Sequence, residues 1–147
     1  MILQAKYGVV LALMFWSAAA WGQSAASSIK VVVEGVRNDQ GQVGILLFRQ
    51  AQGFPSDHQA AMRQELVPAR KGRVEASFDG LPAGTYAIAV MHDENKNLKI
   101  DTNILGIPKE GYGVSNNVKN LMRAPRFAEA AFELRSGRSA QTIQLIY

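Results

Sequence analysis

The chain contains no cysteine, and its only two histidines, His58 and His92, lie in unrelated segments. The first absence excludes disulfides, thiol catalysis and cysteine-based metal sites, so stability must come from a packed core. The second leaves a zinc centre short of ligands, because such sites draw three or four Cys, His or carboxylate groups. Past residue 20 there is no long apolar run and no long amphipathic helical period. Internal repeats and flexible linkers are also missing. The net charge is only +4, and its one basic cluster is Arg70-Lys71-Gly72-Arg73. That excess suits solubility or an anionic surface. With no recognition motif beside it, it makes no case for nucleic acid.

What is present begins with a leader. Lys6 is the one charge before the apolar run from Tyr7 to Ala20, and Ala20-Trp21-Gly22 supplies small residues beyond it. This is the pattern of a secretory signal peptide over residues 1–22, cleaved near Gly22 or Ala26. The run is shorter than the ~20 residues that cross a bilayer, so no transmembrane anchor is expected after cleavage. Without a cysteine after the run, no lipid anchor is expected either. The expected product is exported, periplasmic or secreted, and carries about 120 residues, the size of one domain.

The remainder is built of short apolar runs punctuated by turn residues. "IKVVVEGV" (Ile29–Val36) and "VGILLF" (Val43–Phe48), separated by "RNDQGQ", read as a β-hairpin. "RVEASF" (Arg73–Phe78) and "GTYAIAVMH" (Gly84–His92), joined by "DGLPA", read as the next pair. In the latter, Tyr86, Ile88 and Val90 share one face, while Ala87, Ala89 and Met91 could lie under a second layer. "FAEAAFEL" (Phe127–Leu134) and "AQTIQLIY" (Ala140–Tyr147) complete the strands. The one helical candidate is Asp57–Gln64, with Ser56 and Gln59 spaced as a capping box and Pro68 beyond. The expected fold is all-β: a single antiparallel β-sandwich, prealbumin-like or Ig-like, spanning residues 29–147, with a short helix and one long polar loop.

That loop, from Asp93 to about Arg126, carries the candidate site. Asp93, Asn95, Asn97 and Asp101 fall at positions one, three, five and nine of an EF-hand loop, with the Lys99 carbonyl at seven. Hard oxygens at alternate positions suit Ca²⁺. The EF-hand match then fails, with Leu98 at the glycine position and Ile104 at that of the bidentate Glu, and a weaker DxNxN-type site for a divalent cation such as Ca²⁺ stays open. The alternative is that Asp and Asn make Asx turns, bonding nearby amides and tolerating left-handed backbone. His92 reads as a strand-end histidine bonded to the loop, and Glu110 as a lone carboxylate. A small hydrolase using His92, Asp93 and Glu110 is the enzymatic alternative. Neither Ser77 nor Ser115 sits in a nucleophile motif. Tyr112, between Gly111 and Gly113, could lie flat on a sugar ring or pin the loop to the sandwich end.

Over residues Phe78 to Asn117, "FDGLPAGTYAIAVMHDENKNLKIDTNILGIPKEGYGVSNN" resembles the DUF2141 family of exported bacterial proteins, whose function is not established. The resemblance extends to Gly53–Pro55 and Pro125–Phe132, and so to nearly the whole of Ile29–Tyr147. A narrower likeness, confined to "LPAGTY", reaches transthyretin-like sandwich modules. One departure stands out: Leu98 occupies a position where the family usually has glycine. The expected role is that of an exported, non-catalytic binding or structural accessory module of the cell envelope, whose partner would be an envelope protein or a glycan. The loop residues expected to serve it are His92, Glu94, Asn103, Pro108, Glu110, Tyr112, Ser115, Asn116 and Asn117.

Overall fold

The computed structural model describes residues 27–119 and 123–147. The leader expected at residues 1–22 lies outside them. Among the described residues eight strands form: β1 Ser27–Val36, β2 Gln42–Phe48, β3 Arg63–Pro68, β4 Gly72–Leu81, β5 Gly84–Asp93, β6 Gly111–Val114, β7 Phe132–Leu134 and β8 Arg138–Gln144. A 3₁₀ turn covers Ser115–Asn117 and a four-residue helix, α1, covers Phe127–Ala130.

The strands make two sheets, β4-β1-β8 and β3-β2-β5-β6, with β7 added alongside the start of β5. Alternation explains why they stack. Ile29, Val31 and Val33 of β1, Val43, Ile45 and Leu47 of β2, and Tyr86, Ile88 and Val90 of β5 all point into one core. The Tyr86 hydroxyl donates to the Pro82 carbonyl at 2.6 Å, which gives the "LPAGTY" motif a physical role. Buried phenol needs such a partner.

The all-β sandwich matches the expectation, but the pairing differs from it in two ways. Neither expected hairpin forms. β1 and β2 lie in different sheets, as do β4 and β5, so each turn carries the chain across the core instead of back along its neighbour. In addition β1 pairs with β8 in parallel, Val31 opposite Gln141, while every other named pairing is antiparallel.

The outer face of β2 and β5 is covered as well. Leu46, Phe48, Ala87 and Ala89 pack with Val114 and Ala130 under Phe54, Ala60, Ala61, Val118 and Phe127. The alanines leave room for this layer, and Phe54 bridges it through edge-to-face contacts with Phe48 and Phe127 at 5.3 and 5.9 Å.

The helix expected at Asp57–Gln64 does not form. The segment makes turns instead: Asp57 donates its amide to Gly53 O, and its Oδ1 accepts from Gln59 N. Met62 N then reaches Leu47 O at 2.8 Å and starts β3 along the edge of β2. Tertiary pairing with β2 outweighs a weak local helical preference. Helix appears at Phe127–Ala130, where strand was expected, and the strand there is cut to Phe132–Leu134.

Candidate functional site

β5 runs through the core and delivers His92 and Asp93, both fully buried, to one rim of the sandwich. There Asp93 becomes the hub of the loop. Its Oδ1 accepts from Asn97 N, and its Oδ2 from Leu98 N and Gln42 Nε2, each at 3.0 Å. Asn95 Oδ1 accepts from Asn97 N, and Asn97 Oδ1 from Lys99 N. This is a run of Asx turns, and it needs left-handed backbone at Lys96 (φ 61°) and Leu98 (φ 60°). Leu98 therefore takes the conformation that glycine adopts freely, at a cost of about 1 kcal/mol.

The two amide side chains close the turn. Asn95 Nδ2 and Asn97 Nδ2 donate to the two oxygens of Asp101 at 2.5 and 3.0 Å. Below them Glu110, buried at the start of β6, accepts Glu94 N at 2.8 Å and Asp101 N at 3.0 Å, so one carboxylate clamps both ends of the loop. From that clamp rises a finger, residues 101–109. Lys109 N bonds Asp101 O, Thr102 bridges Pro108, and Asn103 N bonds Ile107 O. Asn103 Oδ1 also takes the amides of Leu105 and Ile107. At the tip, Ile104 is 102% exposed, Leu105 77% and Ile107 55%.

A second group braces the same rim. Arg37 grips Glu94 with two 2.7 Å hydrogen bonds, and Asn38 Nδ2 adds a third at 2.8 Å. The guanidinium beside it pulls the Glu94 carboxyl down to about 2, and the pairing raises Arg37 in turn. Arg37 also lies over the Tyr147 ring, 4.5 Å from its centre. The His92 Nε2–H donates to Gln40 O at 2.8 Å, since a carbonyl can only accept, and Nδ1 shares a 2.8 Å hydrogen bond with the Tyr147 hydroxyl. Burial pushes the Tyr147 phenol up.

His92 and Asp93 reach the rim at the end of β5 and Glu110 just before β6, each is fully engaged in structural hydrogen bonds, and none lines a described cavity. Asp93, Asn95, Asn97 and Asp101 are brought together, but N–H groups occupy their oxygens, and Lys99 contributes an amide donor. Among the described residues no three His, Asp or Glu side chains converge as metal ligands.

The remaining candidates hold the loop to the sandwich. Ser115 Oγ accepts Ile88 N and donates to Ala130 O at 2.5 Å, a buried tether with no free hydroxyl. Asn116, at φ 63°, donates to Glu129 O and Ala131 O, and Asn117 bonds both Thr142 O and Gln144 N. The glycines around Tyr112 serve close backbone approach: a Cβ at Gly111 would run into the Tyr147 ring, and one at Gly113 into Gln144. Tyr112 itself is half-buried and lines a groove with Leu105, Pro108, Lys119, Ile146 and Tyr147.

Sequence reasoning missed Arg37, Gln40, Gln42 and Tyr147, whose partners lie 51 to 57 residues away. It also missed the tip, although an apolar Ile104-Leu105 pair inside a polar loop was a signal for it. No curated protein and no solved structure matches the chain. The family model described as an uncharacterized protein conserved in bacteria (DUF2141) matches residues 31–143, through β2, the clamp, the finger and most of β8. On that match the chain belongs to the DUF2141 family.

Proposed function

We propose that this protein is a non-catalytic binding module of the bacterial cell envelope, exported by its N-terminal leader, whose contact surface is the 101–109 finger. The carrying observation is the exposure of Ile104, Leu105 and Ile107 together on a loop whose base is held by Asp93, Asp101 and Glu110. Exposed apolar side chains scattered singly need no explanation, but a contiguous set on an ordered projection marks an interaction site. A rigid base lowers the entropy lost on binding.

Hydrolysis by His92, Asp93 and Glu110 finds no supporting geometry, because a base or nucleophile must reach a substrate and these three face the interior. Of the two ways to organise the loop, a Ca²⁺ ion or a hydrogen-bond network, the network is the one proposed. An ion would have to take carboxylate oxygens from the N–H groups that now hold them.

Photo-crosslinking in the native envelope tests the reading. The photoreactive residue replaces Leu105 and, as a control, Asp79, which sits at the opposite rim where β4 pairs with the start of β1. Adducts with an envelope component at position 105 and none at 79 are expected. Equal yields at both, or none at 105, would refute the finger as a contact surface.

A further inference from the structure

We infer that the finger binds an anionic phospholipid surface, its apolar tip entering the membrane interface and its lysines meeting the headgroups. This inference rests on the finger being the interaction surface. Two independent features of that surface point the same way.

The first is apolar exposure. Ile104, Leu105 and Ile107 all stand at the tip, and although Leu105 and Ile107 also line one wall of the groove beside Tyr112, Ile104 lies outside it and is fully open to solvent. The second is charge. Residues 93–119 hold four carboxylates, Asp93, Glu94, Asp101 and Glu110, and all four are engaged by N–H donors or Arg37. The same stretch holds four lysines, Lys96, Lys99, Lys109 and Lys119, all exposed. None of their ammonium groups has a hydrogen-bond or ion-pair partner among the described residues. The carboxylates are thus held by internal donors, Asp93 and Glu110 buried and Glu94 and Asp101 half-buried, while the four lysines stay exposed and unpaired among the described residues. Apolar insertion combined with lysine attraction to acidic headgroups is how peripheral proteins hold a bilayer. Lys109 stands at the base of the finger and Lys119 on the wall of the groove beside Leu105.

Charge also argues against a second copy of this chain as occupant. A two-fold contact would place the same patch on both sides, with lysines facing lysines.

The test exploits the absence of native cysteine, which makes a single introduced thiol a unique label. Leu105→Cys and Asp79→Cys in the full chain carry an environment-sensitive fluorophore, and vesicles are either phosphatidylglycerol/phosphatidylethanolamine or phosphatidylcholine alone. A blue shift and quenching by spin-labelled lipid are expected at position 105, only on the anionic vesicles, and not at 79. Because the label reads the finger itself, the apolar leader does not set the signal. Binding read at 105 should fall roughly fivefold for each lysine in Lys99→Gln and Lys109→Gln. It should fall at least about tenfold in Ile104→Ser/Ile107→Ser, with unchanged melting. Equal signals on both vesicle types, or no signal at 105, would overturn the lipid assignment. If crosslinks from Leu105 to an envelope protein persist in that case, the contact surface stands and its partner is protein. If they are also missing, both readings fall.

Discussion

Replacing Glu110 by Gln isolates the clamp, because the side chain keeps its shape and loses one acceptor. In the native protein its two oxygens accept Glu94 N at 2.8 Å and Asp101 N at 3.0 Å, with the residue 4% exposed. Glutamine can satisfy one of these amides through its carbonyl. The other then faces an NH₂ group, so a buried donor loses its partner and meets a second donor. Leaving one buried donor unsatisfied costs about 1–3 kcal/mol, and the surviving bond loses the charge assistance that made it about twice as strong. The total expected loss is roughly 2–4 kcal/mol. Urea unfolding measures it as a lower midpoint at constant slope. Hydrogen exchange then locates it: amides of Leu105, Gly106, Ile107 and Lys109, which close the finger, should exchange faster, while those of β1 should keep their order of protection. A Glu110→Gln protein within about 0.5 kcal/mol of the native one, with unchanged finger exchange, would refute the clamp as the element that orders the site.

Three further outcomes follow from the same rim. Leu98→Gly relieves a left-handed backbone worth about 1 kcal/mol against a similar gain in unfolded-state freedom, so urea melts should show a change under about 1 kcal/mol in either direction. A larger loss would mean that the half-buried Leu98 side chain, not its backbone, decides that position. Glu94 is held at about 2 in the folded protein against 4.5 ordinarily. Its stabilisation is therefore fully present above pH 4.5 and lost as pH falls toward 2. Because Arg37 is 43% exposed, solvent screening reduces that contribution to about 1–2 kcal/mol. Glu94→Gln should flatten acid unfolding curves over this window, and an unchanged slope would refute the pairing. Finally, thermal melts in millimolar Ca²⁺ and in chelator should agree within about 1 °C, since an ion that bound only the folded loop would raise the midpoint by linkage. A clear rise, abolished in Asp93→Ala, would replace the hydrogen-bond network with a metal site.

The two-residue alternation of β1, β2 and β5 and the apolar leader pattern could be read directly, because strand period and composition are local properties. So could the polar loop; at position 98 the resemblance poses a choice between a left-handed Leu98 and another loop path, and the structure takes the first. Partnering could not be read. Nothing near Val36 or Gln42 says that the turn between them crosses from one sheet to the other, or that β8 returns to lie parallel to β1. The residues at Asp57–Gln64 favour helix weakly, and the free edge of β2, which exists only in the assembled sheet, claims their continuation as β3.

Local chemistry determined the residue types of the site: acids and amides that must bond something, and a histidine at a strand end. Only the tertiary structure decided what they bond. It turned Asp93 and Glu110 inward onto backbone amides, set Asp101 against the side-chain amides of Asn95 and Asn97, Arg37 on Glu94 and Tyr147 on His92, and left Ile104, Leu105, Ile107 and four lysines facing out. The physical reason is that a carboxylate binds whichever donor the fold delivers within about 3 Å, and that delivery depends on strands far apart in the chain.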